Sequence, residues 1–124
     1  MLTRKDGKLV ANPIGATITA ETLVGFNSSG LLCTLATAVL FAGFAIEGGA
    51  VGEVARTETT GAYELTFGST ITQAAVGKAV YATAAGVLST TSATGSFKVG
   101  ILESVTGSTT GFVRIDGTFG NAAV

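Results

Sequence analysis

The sequence predicts an all-β fold, either a small β-barrel or a β-sandwich, and three observations carry that prediction. The first is the stretch Val76 to Gly117, VGKAVYATAAGVLSTTSATGSFKVGILESVTGSTTGFVRIDG, where short apolar runs are each closed by Gly or by a Ser/Thr/Gly cluster. Nothing in it supports a helix of useful length. The second is a related pattern earlier in the chain. Ile18 to Glu47, reading ITAETLVGFNSSGLL then FAGFAIE, aligns with Ile71 to Glu103, reading ITQAAVGKAVYATAAGVL then FKVGILE. Gly25 then falls near Gly77, Gly30 near Gly86 and Gly43 near Gly100, and Gly52-Glu53-Val54 takes the place of Gly111-Phe112-Val113. Either the repeat is structural, spanning 18–56 and 71–116 as two similar β-meanders in one body, or apolar β-sequence has recurred by chance. The third is composition: only 12% of residues are charged, and Gly, Ala, Thr and Ser fill the difference.

The elements follow in order. A chain of 124 residues is one domain by its length, and at that size roughly two-thirds of the unfolded surface is buried without help from a metal or disulfide. Residues 1–16 read as an extended N-terminal arm and 17–124 as a single β domain. The arm holds Arg4, Lys5 and Lys8, three of the seven basic residues, and Asn12-Pro13 ends it. Pro13 lacks a backbone donor and pushes Asn12 toward extended geometry, which argues for an arm rather than a strand of the core sheet. It is either a solvated terminus or a segment that orders on a partner.

Thr17 to Phe26 begins the sheet, and Asn27-Ser28-Ser29-Gly30 is a turn. Leu31 to Leu35 and Val39 to Ile46 read as strands buried on both faces. Glu53 to Thr57 and Ala62 to Phe67 flank Glu58-Thr59-Thr60-Gly61 and predict a hairpin, with Tyr63, Leu65 and Phe67 on one face and Glu64 and Thr66 on the other. Gly68 to Ala75 crosses over. Lys78 to Thr83, Val87-Leu88, Phe97 to Glu103 and Phe112 to Asp116 complete the second meander, and Thr118 to Val124 is a tail that either adds an edge strand or frays.

The chemistry the chain lacks narrows its function. There is no His, which removes Ser-His-Asp and Cys-His systems and the commonest neutral metal ligand. Glu58 and Glu64 form the one carboxylate pair that the predicted hairpin brings together, and both sit near an exposed tip. No enzyme activity, catalytic residue, metal or cofactor is expected. Gly48-Gly49-Ala50-Val51-Gly52 leads into a strand rather than a helix, and Gly77-Lys78 lacks the remaining features of a phosphate loop. A net charge of -1 and the absence of Trp give no footprint for nucleic acid. Leu31 to Ile46 is apolar enough to imitate a membrane span, but the Asn27 to Gly30 turn interrupts it and no Lys or Arg flanks it, so no membrane partner is expected. The start of the chain has no apolar signal-peptide core, and Cys33, among Leu32, Thr34 and Leu35, reads as a buried small side chain.

Val76-Gly77-Lys78-Ala79-Val80-Tyr81, then Gly86-Val87-Leu88-Ser89, Val99-Gly100-Ile101-Leu102-Glu103 and Val113-Arg114-Ile115, resemble in order and spacing the capsid cement, or decoration, proteins of tailed bacteriophages. Gly52-Glu53-Val54-Ala55 and Gly61-Ala62-Tyr63-Glu64-Leu65 fit the preceding segment, so the resemblance covers Gly30 to Gly117. Lys78 departs from the acidic residue common in the family, and the arm is longer and more basic. The resemblance implies a structural protein, a homotrimer on the outer surface of an expanded head, made in the host cytoplasm, with the major capsid protein as partner. The clustered charge of the arm, rather than the resemblance, suggests Arg4, Lys5, Lys8, Asn12 and Pro13 as capsid-contact residues. The alternative is a receptor- or carbohydrate-binding head or tail fibre module using the loops Ser89 to Ser96 and Thr106 to Thr110.

Overall fold

Two five-stranded antiparallel sheets make up the chain in the computed structural model, which describes residues 9–124. The first holds β1 (Leu9–Pro13), β2 (Thr22–Phe26), β3 (Leu32–Thr34), β4 (Leu40–Ala45) and β5 (Val54–Glu58), in the spatial order β1-β5-β4-β2-β3. The second holds β6 (Ala62–Thr66), β7 (Ala79–Ala82), β8 (Leu88–Ser89), β9 (Phe97–Val105) and β10 (Thr110–Arg114), in the order β6-β10-β9-β7-β8. The all-β prediction holds, and the two orders are the same strand for strand.

The correspondence extends to single residues. Val24 pairs with Gly43 and the register then slips by one; Val80 pairs with Gly100 and the register slips at the same step. The β2–β3 turn closes with Asn27 N–H to Leu31 O at 2.9 Å and Gly30 N–H to Asn27 O at 3.0 Å. The β7–β8 turn closes with Thr83 N–H to Val87 O at 3.0 Å and Gly86 N–H to Thr83 O at 2.8 Å. Asn27 Oδ1 also accepts from Leu31 N–H, as Thr83 Oγ1 accepts from Val87 N–H. Gly30 with Gly86 and Gly43 with Gly100 therefore occupy equivalent positions, as in the sequence alignment. Gly25 and Gly77 do not: the equivalent of Gly77 is Glu21. Both have positive φ, 62° for Glu21 and 89° for Gly77, and each donates its N–H across the sheet, to Ala45 O and Leu102 O respectively. Val54, opposite Pro13, is the equivalent of Thr110, opposite Thr66, and not of Val113, so the Gly52-Glu53-Val54 alignment is displaced along the strand.

Each sheet curls until its outer strands meet. A parallel bridge joins Ile14 to Leu32 in the first and Phe67 to Leu88 in the second, reinforced by Gly15 N–H to Leu32 O at 2.8 Å and Gly68 N–H to Leu88 O at 3.1 Å. The result is a pair of small rolled sheets, each with its own apolar cluster. One cluster is Ile14, Ile18, Val24, Phe26, Leu32, Ala42, Ala45 and Ala55. The other is built on Phe67, Val80, Leu88, Phe97, Val99, Leu102, Val113 and Ile115, and it takes in Leu35 and Phe41 from the first half.

Three expectations are corrected. Residues 9–13 are not part of an arm outside the sheet: Leu9–Pro13 pairs with β5 from Leu9↔Glu58 to Pro13↔Val54, and Ile14 is buried. Pro13 is tolerated because β1 is an outer strand and Pro13 stands at its end. The expected hairpin between β5 and β6 does not form, because β5 pairs within the first sheet and β6 with β10 of the second. The polar segment between them is the passage from one half to the other, although Tyr63, Leu65 and Phe67 do share the more buried face. Nor is either half a simple meander: β3 and β8 are too short to offer a long pairing edge, so β4 and β9 return to β2 and β7. The tail is tied rather than frayed, with Phe41 N–H to Asn121 O at 2.8 Å and Val124 N–H to Ser96 O at 2.8 Å.

Two substitutions test the packing. A Cβ at Gly100 would lie 2.3 Å from Arg114 O, as one at Gly43 would lie 2.2 Å from Glu58 O, and backbone cannot yield as a side chain can. Gly100→Ala should therefore cost at least about 2 kcal/mol in denaturant unfolding. Thr57 is buried and its Oγ1 has no hydrogen-bond partner among the described residues, while its equivalent in the second half is Val113. Thr57→Val should raise stability by about 1 kcal/mol, read as an upward shift of the unfolding midpoint.

Candidate partner-binding surfaces

Alternation decides which side chains each rolled sheet presents outward. In β2 and β4, Val24 and Ala45 face the first cluster, which turns Leu23 and Phe44 to the opposite face. That face is covered by the second half. Phe44 stacks on Tyr63 with ring centroids 4.1 Å apart and planes at 13°, and Leu23 packs on the second cluster beside Leu65. The Tyr63 hydroxyl donates to Glu58 Oε1 at 2.5 Å and to Thr60 O at 3.2 Å. Burial, and then the acceptor and charge of Glu58, push the Tyr63 phenol above its ordinary range. Glu58 is thus a seam residue. It is not paired with Glu64, which lies opposite Phe112 and is exposed.

Two concavities open beside these elements. A cleft of about 380 Å³ runs along the seam, lined by Thr19, Glu21, Thr22 and Leu23 from one half and Leu65 and Thr66 from the other, with the 84–86 turn at its end. A second, more apolar groove of about 410 Å³ is formed by Asn12, Phe26, Val39, Leu40 and Phe119. Phe119 meets Phe26 edge to face at 5.6 Å. Around it Val39 is 48% exposed, Leu40 38% and Phe119 48%, a concentration of large apolar side chains facing outward.

The residues expected to touch a partner divide in two. Asn12 and Pro13 lie on β1, with Asn12 in the wall of the apolar groove. Arg4, Lys5 and Lys8 lie outside the described residues. Phe119 was missed: in the sequence it is one aromatic in a tail of small residues, and only the return of that tail onto β4 gives it a role. The hydroxyl-rich loops of the alternative reading spend hydroxyls on themselves. Ser96 Oγ donates to Ala93 O, Ser89 Oγ accepts from Thr91 N–H, and Thr106 Oγ1 bonds Thr110 Oγ1.

Two arginines form ion pairs on the surface. Arg56 bonds Glu47, holding that carboxyl below its ordinary range, and Arg114 lies between Glu103 and Asp116. Among the described residues no three His, Cys, Asp or Glu side chains come together as a metal site, and no helix is long and apolar enough to cross a membrane. Cys33 is free and buried, as expected. The seam makes its own prediction: Phe44→Ala should lower the unfolding free energy by about 2–3 kcal/mol, because it removes a ring that is half-buried and stacked.

No protein-family model matches the chain, and no curated protein matches it in sequence.

Proposed function

We propose that the protein is a structural cement protein that binds the outer surface of an expanded phage head and stabilises it, as a homotrimer on the major capsid protein. The observation that carries this reading is the apolar groove of Phe26, Val39, Leu40 and Phe119, with Asn12 of β1 in its wall. The groove suits a partner that offers one or two apolar anchors, and the basic cluster Arg4, Lys5 and Lys8 in the sequence suits acidic side chains. The order of the glycine-punctuated strands, which resembles that of cement proteins, supports the same reading.

The action needs no chemistry. A protein that binds the expanded lattice more tightly than the compact one shifts the equilibrium by the difference in affinity. Copies held together gain effective concentration, so a modest contact per chain suffices. The observation that Leu9–Pro13 is a strand sets the right truncation: removing residues 1–8 takes away the basic cluster and keeps every residue of β1.

Cosedimentation with expanded heads tests the reading. Deletion of 1–8 should weaken binding by about tenfold or more at low salt and less at high salt, and Phe119→Asp should weaken it at every salt concentration. Unchanged occupancy for both variants would remove the arm and the groove from the contact.

A further inference from the structure

The cleft of about 380 Å³ along the seam combines an aliphatic interior with a polar rim. Of its leucines, Leu35 and Leu88 are buried and Leu23 and Leu65 half-buried, and no aromatic ring lines it. Glu21, Thr34 and Thr66 are exposed at its edge. No Lys or Arg lines the cleft, and Glu21 takes part in none of the ion pairs among the described residues. The carboxylate therefore faces the opening with its charge unopposed.

The duplicated half shows that the fold does not need this carboxylate. Glu21 has φ 62°, a conformation that an L side chain adopts at a cost and glycine adopts freely. Its equivalent is Gly77, with φ 89°, and Gly77 is followed by Lys78 where Glu21 is followed by Thr22. The contact that the sheet does need is a backbone one, made equally by both residues: Glu21 N–H to Ala45 O and Gly77 N–H to Leu102 O. The first half thus carries an acidic side chain at a glycine position, beside a cleft, and the second half has a cation as its neighbour instead.

We infer that the seam cleft receives an arginine side chain of a partner polypeptide, with its methylenes on the leucines and its guanidinium on Glu21. Charge complementarity selects a cation, and the aliphatic interior selects one carried on a long apolar stem. The planar guanidinium matches a carboxylate with two parallel hydrogen bonds and keeps donors for the Thr34 and Thr66 hydroxyls, whereas an ammonium meets the same group only as a point charge. The exposed rim admits a side chain whose backbone stays outside. The equivalent place in the second half, with Gly77 and Lys78, offers no such partner, so each chain holds one site. The inference does not rest on the capsid reading, since it concerns a different surface and an arginine-bearing partner of any kind.

Amide chemical shifts of the isotope-labelled full-length protein test it, with the blocked tripeptide acetyl-Gly-Arg-Gly-amide as probe over roughly 0.1 to 50 mM, the range suited to a single side chain. The wild type should show saturable shifts centred on residues 21–23, 65–66 and 84–86, weaker at high salt. The matching lysine peptide should bind about threefold more weakly or worse. The citrulline peptide, which keeps the shape and loses the charge, should lose about tenfold or more. Glu21→Gln should weaken binding by about tenfold. Glu21→Gly, which installs the residue of the second half, should abolish binding with an unfolding midpoint at or above wild type, a combination that a merely structural role for Glu21 would not give. Absence of saturable shifts at the cleft, equal response to the citrulline and arginine peptides, or binding indifferent to Glu21→Gly would each overturn the inference. So would tighter binding of putrescine than of the arginine peptide, which would give the cleft to a free amine. All these measurements are made without heads, so their failure would leave the capsid reading standing.

Discussion

The curl of each sheet rests on the near contact between strands at Gly43 and Gly100. At these positions the backbone of β4 and β9 comes so close to the carbonyls of Glu58 and Arg114 that no side-chain carbon fits. The register slip that follows each glycine adds local twist, and twist lets a five-stranded sheet bend until its outer strands touch. Without that approach β1 would not reach β3, nor β6 reach β8, and each sheet would keep two open edges. The bridges at Ile14–Leu32 and Phe67–Leu88 follow from the bend.

Once both sheets are rolled, their joining is a matter of which residues face outward. The first half places Phe41 and Phe44 where the second places Lys98 and Ile101. That difference makes one outer face a seam and leaves Ile101 exposed on the other. The tail adds to the seam by returning from β10 to Phe41 and by pairing with Gly95 and Ser96 at the start of β9. Almost all of this is apolar contact and backbone hydrogen bonding. The ion pairs of Arg56 and Arg114 are on the surface and add little.

The strands were legible because their signals are local. Gly30 and Gly86 mark turns, the alternation from Tyr63 to Phe67 marks a half-buried strand, and the uncharged run from Leu31 to Ile46 marks two strands, although burial on both faces fails at Thr34, Val39 and Leu40, which are exposed. What was not legible is pairing between distant strands. Glu58-Thr59-Thr60-Gly61 has the composition of a hairpin tip whether its flanking strands join each other or separate sheets. Pro13 weakens a strand prediction, but it cannot show that its strand lies at an edge where the lost donor is harmless. The groove was hidden for the same reason, since Asn12, Phe26, Val39 and Phe119 are brought together only by the fold. Glu21 was hidden because its positive φ is set by the neighbouring strand and not by its own preference.

The two apolar clusters differ in what they require. Every member of the first, from Ile14 to Ala55, comes from the first half, whereas the second draws on Leu35 and Phe41 as well as its own residues. A ribosome delivers the chain in that order. The self-sufficient half emerges first and can settle, and it then stands ready as the template on which the later, dependent half is completed.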